Sequence, residues 1–273
     1  MLPGRARPLH QWDLIERTRV LGQNDTRLVA ALMYGSFVKG EGDQFSDIEF
    51  WLFVADEHLA QLSIEHWINQ IEPTHLIVTN EYGTQVAVFT SLVRGEFHFV
   101  PASTMAQVRT WGGISVRAEE MIVVDRTGEL IEHLRSLEGR TPVPPSDRVG
   151  DLCGRYLNWM LLGLNVLERG EIARAHAVLG QIDTYLLWMV RLVEGATSHW
   201  LTPSKSLEGD VSAASQARYV GCTAVAERRP LIAAYKEAWH WGRELMTSLA
   251  QRDMCSLPED LQAALDARVR SLA

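Results

Sequence analysis

Asp47 and Glu49 stand two residues apart at the start of an apolar run that includes Ile48, Phe50, Leu52 and Val54. If the run is a β-strand, both carboxylates leave the same face. Two anions this close repel each other and resist ionisation unless a cation is supplied. Mg²⁺ takes oxygen ligands and commonly holds on to substrate phosphates as well. Two such ions about 3.5–4 Å apart stabilise the attacking and leaving oxygens of a displacement at phosphorus. Alone, an Asp-x-Glu pair reads as an ordinary solvated strand start.

The pair is not alone. Gly35-Ser36 lies eleven residues upstream of Asp47, at the end of the apolar run 28–34. Glycine lets backbone approach a phosphate closely, and serine adds a hydroxyl and an N–H. Lys39 adds positive charge to the intervening loop, and Gly40 and Gly42 loosen it. A Gly-Ser, a ten-residue gap, then Asp-apolar-Glu-apolar, bridging two strands, resembles the signature of the nucleotidyltransferase superfamily. That superfamily includes DNA polymerase β and the antibiotic nucleotidyltransferases. The resemblance implies that Gly35 and Ser36 contact a nucleoside triphosphate, while Asp47 and Glu49 bind Mg²⁺.

It also implies a third acidic residue on a later strand. Glu96 is the candidate, in Leu92-Val93-Arg94-Gly95-Glu96-Phe97-His98-Phe99. Phe97 and Phe99 alternate against Glu96 and His98, so the polar pair faces away from them. By the resemblance, Glu96 is either a metal ligand or the general base that takes the proton of the acceptor hydroxyl. Glu81 is its rival, with Glu41 and Asp43 behind. Arg94 shares the Glu96 face and is positioned to reach a phosphate, and His98 to contact substrate. The run 35–50, with Asn80-Glu81-Tyr82-Gly83 and residues 94–99, is similar to the lincosamide nucleotidyltransferases. That family implies transfer of AMP from ATP to a hydroxyl of lincomycin or clindamycin, with release of pyrophosphate.

These residues need strands to carry them. The sequence predicts a helix over 10–21, strands over 28–34 and 47–54, and a helix over 56–71 stopped by Pro73. Strands follow at 75–79, 85–90 and 92–100, with a turn at 80–84, then a strand at 121–125 and a helix at 127–137. Residues 1–9 read as a tail. The Pro-rich stretch 139–146 reads as a linker. Beyond it the pattern is helical throughout: 148–169, 171–194, 212–228, 230–251 and 258–272, with a loop at 204–209. The expected class is α+β. A nucleotidyltransferase domain over 1–140, with a mixed sheet flanked by helices, precedes an all-α helical bundle over 147–273. His176 and Asp183, seven residues apart on one predicted helix, share a face. Related enzymes hold such a helix over the nucleotide and acceptor, often with a partner subunit. These two residues are therefore candidate substrate contacts, and a homodimer is expected.

Composition narrows the partners. The 273-residue chain carries a formal net charge of −8, which disfavours sequence-independent nucleic-acid binding. Cys153, Cys222 and Cys255 have no CxxC spacing, so neither a disulfide framework nor a zinc site is expected, and a reducing cytoplasm fits. No apolar run is long enough to span a membrane. The nine tryptophans are read mainly as core. Two other readings stand beside the lincosamide one. One is an aminoglycoside acceptor, for which an acidic cleft would suit a polycation. The other is a non-catalytic binding module, against which three retained carboxylates weigh.

Overall fold

The computed structural model describes residues 9–143, 148–253 and 256–273. The chain divides into two compact units, Met1–Thr141 and Pro142–Ala273. The class is α+β: the first unit is built on a mixed six-stranded sheet, and the regular elements of the second are all helices.

In chain order the first unit has α1 (His10–Asn24), β1 (Leu28–Tyr34), β2 (Ile48–Val54), α2 (Asp56–Leu59) and α3 (Ile64–Asn69). Then come β3 (Thr74–Thr79), β4 (Gln85–Phe89), β5 (Arg94–Pro101), a 3₁₀ helix (Ala102–Thr110), α4 (Ala118–Met121), β6 (Ile122–Asp125) and α5 (Glu129–Arg135). The sheet order is β3-β4-β5-β2-β1-β6, and β2 with β5 is the parallel pair. That pairing needs a crossover, which α2, α3 and the β3–β4 hairpin supply.

Alternation along β2 decides what lies where. Ile48, Phe50, Leu52 and Val54 point into one core with Leu14 and Ile15 of α1 and with Trp67 and Ile68 of α3. Glu49, Trp51 and Phe53 point the other way. On that second face Phe53 and Leu32 are roofed by Met105, Val108, Leu130 and Leu134. Glu49 lies toward the other end of the same strand face and is half-buried.

The single helix expected over 56–71 is two short helices. The chain leaves helical geometry after Leu59, and Ser63 opens α3 afresh by accepting the His66 N–H. The 3₁₀ helix, whose three-residue turns do not follow the α-helical apolar period, and α4, a single turn, were not expected.

The second unit contains α6 (Val149–Glu168), α7 (Ile172–Glu194), α8 (Leu207–Asp210), α9 (Ala213–Cys222), α10 (Arg228–Asp253) and α11 (Glu259–Ser271) around one apolar core. Helix α9 stops at Cys222, short of the expected 228, and the expected loop at 204–209 contains the start of α8. Pro230 falls in the first turn of α10 and Pro258 caps α11, where a missing N–H costs nothing. Residues 144–146 of the expected linker and 1–8 of the expected tail lie outside the described residues. Among the described residues no helix is long and apolar enough to cross a membrane.

Candidate active site

Three strands bring the carboxylates together. In the sheet register Tyr34 of β1 lies opposite Glu49 of β2, and Glu49 lies beside Glu96 of β5. One row later Trp51 lies beside His98. Asp47 just precedes β2, as Arg94 opens β5. Arg94 joins the acids: one N–H donates to Asp47 Oδ2 at 2.5 Å and another donates to Glu96.

Glu49 sits differently. Its carboxylate packs against Gly35, where a Cβ would stand 1.4 Å from Oε2. Gly35 also has φ +83°, a conformation L-residues rarely adopt. Its small size is thus needed first to seat Glu49, a reason the sequence did not reveal. Burial, then the charges of Asp47 and Glu96, push the Glu49 carboxyl up to about 7, while a Ser36 backbone hydrogen bond and the charge of Lys39 oppose the rise. Ser36 Oγ is buried and has no hydrogen-bond partner.

Around the acids runs a polar and aromatic chain. The Tyr34 hydroxyl donates to Glu96 at 3.4 Å and lies 2.9 Å from His98 Nε2. Thr84 Oγ1 lies 3.4 Å from the other His98 ring nitrogen. The Trp51 and His98 rings stack, with centroids 4.1 Å apart and an interplanar angle of 6°. Burial lowers the His98 pKa despite the neighbouring Glu96. Burial and the three carboxylates raise that of Tyr34.

The structure therefore gathers Gly35, Ser36, Asp47, Glu49, Arg94, Glu96 and His98 at one place on the sheet, with Lys39 exposed on the adjoining loop. Among the rivals of Glu96, the Asp43 carboxylate is occupied in its own loop, accepting from the Phe45 N–H and the Ser46 hydroxyl. Gln11 of α1 pins that loop by donating to the carbonyls of Gln44 and Ser46. Glu81 lines a recess of about 610 Å³ together with Tyr34, Trp51, Tyr82, Glu96 and His98. Tyr34 was not singled out from sequence; two-residue alternation does put Trp51 on the face of Asp47 and Glu49, but without a part in the site.

His176 and Asp183 lie on α7 of the helical unit. His176 is exposed. Asp183 is half-buried, its buried Oδ1 has no hydrogen-bond partner, and burial pushes its carboxyl up to about 7. The shared face expected for the two is thus split between solvent and core.

Among the described residues no three His, Cys, Asp or Glu side chains form a ready group for a metal ion. Arg94 lies between Asp47 and Glu96 and engages an oxygen of each. The donors nevertheless suit a divalent cation. All are carboxylate oxygens, Glu49 is held up by burial and by repulsion from Asp47 and Glu96 that a cation would relieve, and Ser36 Oγ is an orphaned acceptor beside them.

The family-model match falls on the other half of the chain. Residues 145–267 match the family model described as the lincosamide nucleotidyltransferase-like C-terminal domain. This match, over slightly less than half of the chain, agrees with the likeness read from residues 35–50, 80–83 and 94–99. No curated protein matches the sequence. Two solved structures are similar over most of their length. One is an aminoglycoside 6-adenyltransferase from Bacillus subtilis, at 12% identity over 96% of this chain and 97% of that one, TM-score 0.46. The other is a nucleotidyltransferase-like protein from Exiguobacterium sibiricum 255-15, at 13% identity over 96% and 89%, TM-score 0.38.

Proposed function

We propose that the protein transfers AMP from ATP to a hydroxyl of a lincosamide antibiotic, releasing pyrophosphate. The observation that carries the reaction is the convergence of Asp47, Glu49 and Glu96 beside Gly35-Ser36. The lincosamide acceptor draws its support from the helical half.

The acceptor oxygen bonds to the α-phosphorus as the bond from that phosphorus to pyrophosphate breaks. Glu96 takes the hydroxyl proton, and it lies with Tyr34 and His98 at the recess from which an acceptor would enter. Gly35 and Ser36 offer backbone and a hydroxyl to the triphosphate, and Lys39 and Arg94 are the nearby cations assigned to its charge. Asp47 and Glu49 would hold Mg²⁺, which supplies charge neutralisation at the phosphoryl and pyrophosphate oxygens. Under this reading the chain acts in the cytoplasm as a homodimer, with no part in nucleic-acid binding.

The test is incubation with ATP, Mg²⁺ and a panel of lincosamides and aminoglycosides, read by mass spectrometry. Lincomycin should gain the mass of one AMP residue. An adduct on kanamycin but not on lincomycin would shift the acceptor to aminoglycosides, a reading the acidic recess also favours. Absence of any adduct together with no calorimetric binding of Mg-ATP would return the protein to the non-catalytic class.

A further inference from the structure

The recess beside Glu96 has an address within the sheet. Gly35-Ser36 follows β1, the carboxylates stand on or beside β2 and β5, and the recess continues past β5 to Thr84 and the β3–β4 turn. Neighbouring strands are about 4.8 Å apart, so the turn lies on the order of 15 Å from the β1 end. In an in-line displacement the attacking and leaving oxygens lie on opposite sides of phosphorus. The recess begins at Tyr34, next to Gly35; with phosphates on the Gly35-Ser36 side, the attacking molecule occupies its far end, toward Thr84 and the β3–β4 turn.

Its walls say what that molecule carries. The floor is aromatic: the stacked pair of Trp51 and His98, with Tyr34 beside it. Arg94, the cation on the lining, is already engaged by Asp47 and Glu96. Glu81 and Tyr82 stand at the rim on the β3–β4 turn. Among the described residues the Glu81 carboxylate has no hydrogen bond or ion pair, and Tyr82 is 88% exposed. The backbone of the turn that carries them is hydrogen-bonded. Asn80 Oδ1 accepts the N–H groups of Tyr82 and Thr84 at 3.0 Å each, and the Gly83 N–H donates to the Asn80 carbonyl. An unpaired carboxylate beside an uncovered aromatic ring attracts an organic ammonium.

We infer that Glu81 and Tyr82 form the rim subsite that selects the acceptor by a protonated amine, seating its ring against Trp51 and His98 with the hydroxyl directed to Glu96. This rests on the nucleotidyl-transfer reading for the position of the phosphates. The substrate class it names is a ring-bearing alcohol that also carries a basic amine. Lincomycin, with one tertiary amine, and kanamycin, with several primary ones, both qualify, and kanamycin with its amines acetylated does not.

The experiment is calorimetric titration of wild-type protein, Glu81→Gln, Tyr82→Ala and Tyr82→Phe with lincomycin, kanamycin and N-acetylated kanamycin. Steady-state kinetics are run on whichever drug accepts AMP. Glu129→Gln, an exposed carboxylate on α5, controls for net charge. Glu81→Gln should raise Kd and acceptor KM about five- to tenfold, leaving kcat and the KM for ATP within twofold. Tyr82→Ala should follow it in part, Tyr82→Phe should match wild type, and acetylated kanamycin should bind no form. The inference is overturned if wild type binds neither lincomycin nor kanamycin, if Glu81→Gln binds as wild type does, or if the KM for ATP moves in place of that for the acceptor. Amine-dependent binding without transfer by wild type would sink the functional reading while leaving the subsite standing.

Discussion

Gly35 and Glu49 are a single device. The carboxylate occupies the space that any other side chain at position 35 would need, and the positive φ adds a second reason for glycine. Gly35→Ala is therefore expected to force Glu49 out of line and to cost about 1–3 kcal/mol in backbone strain. Activity should fall at least a hundredfold, well beyond what that loss of stability explains, as kinetics paired with thermal melts would show. Asp47→Asn removes one charge from a half-buried residue whose main partner is Arg94. It should abolish transfer with the melting temperature nearly unchanged, and normal turnover by this variant would falsify the metal-site assignment. Asp183 gives a pH signature of a different kind. Its carboxyl rises to about 7 through burial, so the folded state holds a proton that the unfolded state has already lost above pH 3.8. That contribution is full below pH 3.8 and fades as pH climbs toward 7. Asp183→Asn should accordingly stabilise the protein by roughly 1–3 kcal/mol at pH 8 and by almost nothing at pH 4, measured by urea unfolding at both values.

At the scale of elements, what was legible and what was not follows from period and connectivity. The strand over 28–34 and the polar-start strand at Asp47 could be read because two-residue alternation and a dense apolar run survive in the sequence itself. Glu96 could be placed on the right face by its alternation with Phe97 and Phe99. Its neighbourhood could not, because the row Tyr34–Glu49–Glu96 depends on β2 and β5 being parallel neighbours across a long crossover. The Trp51–His98 stack was hidden for the same reason. The break between α2 and α3 was missed because Ser63 and its neighbours keep an amphipathic pattern while the backbone turns. In the helical unit, Arg191 was invisible as a structural centre. It is fully buried, and donates to the carbonyls of Ala196, Pro203 and Lys205 and to Asp210 Oδ2. His199 meets the same carboxylate at 2.6 Å. One side chain thus holds the 196–210 segment against α7. Arg191→Met would strip this donor from three carbonyls and leave the Asp210 carboxylate with His199 alone, and an expected loss of roughly 3–5 kcal/mol should appear in urea unfolding.

The whole molecule contributes a field. The chain carries a formal net charge of −8, and the recess proposed for the acceptor is edged by Glu81 and Glu96. An acidic protein raises the local concentration of cationic molecules over a Debye length, and salt collapses that advantage. Raising ionic strength from about 0.1 M to about 1 M shortens the Debye length from about 10 Å to about 3 Å. Lincomycin carries one positive charge and kanamycin several, so the field acts on them unequally. If the rim subsite holds the amine, kcat/KM for either drug should fall with salt, more steeply for kanamycin, the loss residing in KM. The KM for Mg-ATP, which is itself anionic, should fall or stay level over the same range. The two slopes separate the terms. A steep acceptor slope that persists in Glu81→Gln belongs to the whole molecule, and one abolished by that substitution belongs to the rim. Equal slopes for both drugs would mean that the charge of −8 has no part in choosing between them, leaving selection to the shape of the aromatic floor.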